Sequence, residues 1–175
     1  LLRRQVDHRP QLAARLVVRP ASVDLGHRPG PHRHRVDRTL SPLAEAAAED
    51  LGIEVTYHGS GEHDEQAQLI EAAVSDEGDG IVVSLANPDA MREPLASAEE
   101  AGIPVITINS GENESASLGA ITHVGQTETV AGQGAGEQLA EAGVTNLICV
   151  IHEPGNIGLE QRCEAACRGI GAVAC

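Results

Sequence analysis

Four apolar runs constrain this chain more than any other feature. Gly80-Ile-Val-Val-Ser84, Ile103 to Ile108, Ala120 to Val124 and Asn146 to Ile151 show little inside–outside alternation. A strand with one wet face alternates; a run that is apolar almost throughout needs cover on both faces. Stretches with helical spacing lie between the runs. Leu69, Ile70, Ala73 and Val74 share one side of a helix predicted over 62–75, and Met91, Leu95 and Ala98 point inward from the next. Longer helices are predicted over 127–142 and 157–171, and a short strand over Ile53 to Tyr57. Strand–helix alternation with buried strands predicts an α/β fold with a doubly wound parallel sheet.

Local punctuation supports these boundaries. Ser41-Pro42 and Asn87-Pro88 each read as an N-cap followed by proline at the first helical position. Gly52, Gly102 and Gly143 stand where helices should stop.

Charge divides the chain. Residues 1–40 hold nine arginines against three aspartates, a net +6, whereas residues 41–175 hold three arginines against 23 acidic residues, a net −20. Such asymmetry marks a boundary between different kinds of segment. Residues 1–40, with "RPGPHRHRVDR", show no period and no apolar stripe. A basic nucleic-acid arm, a disordered tail and GC-rich DNA read out of frame compete as explanations. The abrupt return of pattern at residue 41 favours the last. The acidity of the ordered part argues against nucleic acid as its partner. No apolar run approaches the roughly 20 residues that span a bilayer, and none reads as a signal peptide.

Cys149, Cys163, Cys167 and Cys175 lack CxxC spacing and read as separate, half-buried thiols. Cys163 and Cys167 share a helix face, and neighbouring helical turns are poorly oriented for a bridge. No G-x-S-x-G, Ser-His-Asp or paired-carboxylate signature is present, which disfavours an enzyme. A dinucleotide fingerprint starting at Gly132 would need glycine where Glu137 stands. No cofactor is expected. His123, His152 and Glu153 could suggest a metal, but one histidine per lobe is poor ligand geometry, so no metal site is assigned.

Candidate binding groups sit where strands end. In open α/β sheets, ligands bind beyond the carboxyl ends of the strands. Asn109-Ser110-Gly111 follows the run ending at Ile108 and offers an amide and a hydroxyl, groups suited to a neutral polyol. The same three residues are common turn formers. Asn87 lies at the same edge, and its first role is to cap the helix at Pro88.

"DGIVVSLANPDAM", "AGIPVITINSG", "HVGQTETVAGQGAGEQLAEAG" and "VIHEPGNIGLEQRCEA" occur in order and together resemble the type I periplasmic solute-binding proteins of sugar ABC transporters, the ribose-binding-protein-like group. The resemblance covers about residues 41–172. It implies a periplasmic binding protein type I-like chain with a first lobe over 41–125 and the start of a second over 126–175, closing on a small carbohydrate by hinge motion. It implies ligand contacts from Asn109 and Ser110, where many members carry Asp-Arg, and from Arg162 in the first helix of the second lobe. Pairing of Arg162 to Glu160 or Glu164 in solvent is the alternative. The hinge is implied at Gly125 and Gln126. It further implies an extracytoplasmic monomer, not an enzyme, working with an ABC transporter permease. The effector domain of a LacI-type regulator shares the fold and is the runner-up. Sugar-stacking aromatics are missing, since Tyr57 is the one aromatic residue, and the first strand of the family reads as lost, with Arg15-Leu-Val-Val-Arg19 a poor substitute. An impaired, unstable binder is therefore expected.

Overall fold

A computed structural model describes the backbone of residues 15–19, 33–58, 60 and 62–171, with side chains described from residue 42 onward. Five strands, β1 (Arg15–Arg19), β2 (Glu54–Tyr57), β3 (Gly80–Ser84), β4 (Val105–Ile108) and β5 (Thr122–Val124), form one sheet of order β2-β1-β3-β4-β5. All four pairings are parallel. Helices α1 (Arg33–Leu51), α2 (His63–Ser75), α3 (Pro88–Glu100), α4 (Glu112–Ser115), α5 (Glu128–Glu141) and α6 (Ile157–Ile170) connect and follow the strands.

The core sits between the sheet and α2 and α3. Ile81, Val83 and Leu85 leave alternate positions of β3 and the turn after it and meet Ile70 of α2 and Met91 and Leu95 of α3. Each of these is at most 1% exposed. Removing that apolar area from water is the main term holding the sheet and these helices together. The residues come from the stripes their spacing predicts, so helical period and tertiary burial agree here.

Several expectations need correction. The first strand is not lost: β1 lies in the middle of the sheet, with Leu16 opposite both Val55 and Gly80. Leu16-Val17-Val18 has the branched apolar character a central strand needs, and occupying that place gives β2 and β3 a partner each. Helix α1 starts at Arg33, well before Ser41, so Pro42 lies inside it. Proline costs a helix one amide donor, and here the helix runs through that loss. Strand and helix thus fall within the segment expected to be irregular. Finally, Asn146 to Ile151 forms no strand. Ile148 and Val150 are 89% and 78% exposed. An apolar run becomes a strand only when a neighbour accepts its hydrogen bonds, and none of the described strands lies beside it.

The same segment is tied down covalently. Cys149 is disulfide-bonded to Cys163 of α6, with Cα atoms 5.9 Å apart, and Cys167 is disulfide-bonded as well. The expectation of separate thiols is therefore wrong. Cys163 pairs across to the preceding segment rather than along its own helix.

Candidate functional site

Beyond the carboxyl ends of β3 and β4 the chain makes two tight exits. After Ile108, Asn109 takes a left-handed backbone (φ 64°) and Gly111 another (φ 84°). The Asn109 amide donates to the Val124 carbonyl at 3.1 Å, the last rung beside β5. The chain then turns against β3. A Cβ on Gly111 would stand 2.5 Å from the Leu85 carbonyl oxygen and 2.7 Å from its Cβ, so only glycine fits. This is why a core strand ends in Asn-Ser-Gly: the first must tolerate a left-handed backbone, and the third must lack a side chain. The Asn109 side chain is exposed at this tip, and its Nδ2 donates to the buried Ser84 hydroxyl at 3.3 Å.

Ser110 behaves differently. It is 4% exposed, and its hydroxyl lies 3.4 Å from Asn156 Oδ1. Asn156 caps α6, accepting from the amides of Gly158 at 3.0 Å and Leu159 at 3.3 Å. Its Nδ2 donates to buried Glu153 at 3.0 Å. The Ile157 amide donates to the Ala86 carbonyl at 2.9 Å. The start of α6 is thus seated on the edge formed by β3 and β4. Asn87 does cap its helix, its Oδ1 accepting from the Ala90 amide at 3.1 Å. Its Nδ2 faces Gly155, 3.5 Å from where a Cβ would stand, and His63 Nε2 lies 3.9 Å from the same point.

Gly125 lies next to Asn109. A Cβ on Gly125 would come 2.9 Å from the Asn109 carbonyl oxygen and would overlap His123 Nε2. Gly125 is absent from the positive-φ glycines, so this glycine provides room rather than an unusual backbone angle. His123 Nδ1 sits 2.9 Å from the Thr107 hydroxyl, itself 2.6 Å from the Ser115 hydroxyl. Among the described residues no group of three His, Cys, Asp or Glu side chains is arranged to hold a metal ion.

Arg162 pairs with neither Glu160 nor Glu164. Its Nε donates to Glu128 Oε2 at 2.5 Å, and Glu128, the first residue of α5, is 3% exposed. Gln126 Nε2 stands 3.4–3.5 Å from the two oxygens of the same carboxylate. The hydrogen bond and charge of Glu128 raise the Arg162 pKa above its usual value, against the opposing effect of burial. The structure therefore links Asn109, Gly125, Gln126 and Arg162 in one continuous region, and joins Ser110 and Asn87 to it through the 153–158 loop. Sequence reasoning missed Glu128 and Asn156, and it weighed Glu153 only as a metal ligand, not as the partner of Asn156. Asn156 carried a readable signal, an Asx residue just before a helical stripe, whereas the partner of a lone Glu cannot be read from spacing. Two cavities, of about 190 Å³ beside Ile106 and Ile121 and about 570 Å³ beside Glu77 and Ala101, lie at the amino ends of the strands, away from this region.

A sequence family described as "Periplasmic binding protein domain" matches residues 38–171. The chain belongs to that family. A fructose import binding protein, FruE, of Bifidobacterium longum (strain NCC 2705) is 30% identical over 98 residues, which cover 53% of this chain and 30% of that protein. The carbohydrate transporter of Acidothermus cellulolyticus 11B, solved in complex with myo-inositol, is 29% identical and superposes with a TM-score of 0.79 over 90% of this chain and 52% of its own. The ABC transporter periplasmic solute binding protein of Actinobacillus succinogenes 130z, solved with bound D-allose, shares 20% identity at a TM-score of 0.69, over 92% of this chain and 57% of its own. At that identity the likeness speaks for the fold alone. The chain spans about half the length of these solved structures.

Proposed function

We propose that the chain is part of the substrate-binding component of a sugar ABC importer and that it grips a small neutral carbohydrate at the carboxyl edge of β3 and β4. The observation that carries this reading is Asn109: an exposed amide on a left-handed backbone, braced by a buried serine at the tip of a core strand. Among non-glycine residues asparagine takes that conformation readily, so the turn can present a side-chain amide at the strand tip. A neutral amide suits hydroxyl groups, and the relatives named for fructose and myo-inositol take neutral polyhydroxylated compounds.

In the present arrangement Ser110 faces Asn156 and Asn87 faces Gly155; opening about Gly125–Gln126 frees both for the ligand. Arg162, held through Nε, contributes its outer Nη1 and Nη2 edge. The action is grip by closure rather than chemistry. The setting is extracytoplasmic, which the Cys149–Cys163 disulfide supports because such bonds persist in oxidising compartments. The implied partner is an ABC transporter permease, and the protein acts as a monomer.

The test is an NMR titration of the chain with D-fructose and myo-inositol to millimolar levels. Binding is expected to be weak, because the chain spans only about half the length of its solved relatives. The Asn109 side-chain amide should shift with one of the two compounds. Asn109→Gly keeps the left-handed backbone and should weaken the affinity, read from the backbone amide shifts around the site, about tenfold, the order of two lost hydrogen bonds, with little change in melting temperature. Shifts confined to other regions, or an unchanged response in the variant, overturn the reading.

A further inference from the structure

The face between α5 and α6 is built from small residues. Gly132 and Gly136 of α5 face Ala165 and Gly169 of α6. A Cβ on Gly132 would stand 2.9 Å from the Ala165 Cβ, and one on Gly136 2.9 Å from the Gly169 Cα, so the helices meet backbone to backbone. Such a face fixes separation well and rotation poorly, because no large side chain interlocks across it. One buried charge breaks the pattern. Glu128 stands at the end of this face nearest the hinge and takes Arg162 Nε from α6 and Gln126 Nε2 from the hinge segment on the same carboxylate. A buried carboxylate needs such partners, so they are bound to it as much as it is to them.

We propose that Glu128 is the positioning residue of the joint: it locks the angle between α5 and α6 through Arg162 and hands that angle to Gln126, so that both helices follow the hinge as one body. The inference rests on the reading of Gly125–Gln126 as the hinge, but not on any ligand.

Amide hydrogen exchange of the whole chain, read by mass spectrometry without sugar, tests it. Glu128→Gln should speed exchange in the hinge peptide 124–131 and the α6 peptide 157–165 together, by about tenfold, while the β3 peptide 80–86 stays as in the wild type. Arg162→Gln should give the same pattern, and the double variant should add nothing further. Loosening that leaves the hinge peptide untouched, or effects that simply add, overturns the proposal, since loss of packing alone would behave so. If Glu128→Gln unfolds the chain and strips protection from β3, the exposed Gln126→Ala decides. In that background Arg162→Gln should still loosen α6 but no longer reach the hinge, and if it does reach the hinge the coupling does not run through Gln126 and the proposal falls. Failure of the sugar titration with these results intact removes the ligand and leaves the joint.

Discussion

Helix α5 carries three glycines, and the structure gives them opposite roles. A Cβ at Gly134 would meet nothing within 4 Å. Alanine there removes backbone freedom from the unfolded chain at no steric cost and should stabilise by about 0.5–1 kcal/mol. The same substitution at Gly132 gains the same term but places a Cβ 3.0 Å from the Arg162 carbonyl carbon and in overlap with its oxygen. Backbone of a neighbouring helix cannot swing aside as a side chain would, so α5 and α6 must part. Overpacking of that kind costs about 1–3 kcal/mol, leaving a net loss of about 1 kcal/mol. Gly136→Ala meets the Ala166 carbonyl in the same way and should lose a similar amount. The two losses should add incompletely, because one separation of the helices relieves both contacts. In a chain of this length about 1 kcal/mol moves the melting temperature by about 2–4 °C. Thermal melts followed by far-UV circular dichroism should therefore rank Gly134→Ala above wild type and wild type above both other variants. If Gly132→Ala melts with or above Gly134→Ala, the backbone-to-backbone packing of α5 on α6 is wrong, and the argument for Glu128 loses its setting.

Two further substitutions probe the seat of α6 and the core beneath the site. Asn156→Ala removes a cap that serves two amides and leaves Glu153 and Ser110 without their partner; urea titration should show a loss of about 1–2 kcal/mol. Leu85→Ala empties a fully buried position against which Gly111 packs; it should cost about 2–5 kcal/mol by the same method and should also broaden the Asn109 amide signals.

Within residues 42–171 most elements were legible because their causes are local. The apolar run of β3, the stripe of Met91, Leu95 and Ala98, and the Asn87-Pro88 cap each lie within one or two turns of chain, and the structure places all three as the sequence predicts. Gly111 was legible as a turn former, though not its reason, since Leu85 lies far away in sequence.

What only the tertiary structure decided involves pairs. Arg15–Arg19 becomes a central strand because β2 and β3 each offer its backbone a free edge, whereas Asn146–Ile151, a better apolar run, stays unpaired because no described strand flanks it. Arg162 pairs with Glu128, 34 positions earlier, rather than with its own helix neighbours Glu160 and Glu164. Cys163 found Cys149 instead of remaining a thiol. Propensity, period and capping act over a few residues and are written in the chain. Which strand edges, charges and thiols meet depends on how the elements pack, and that is settled only when the chain has folded.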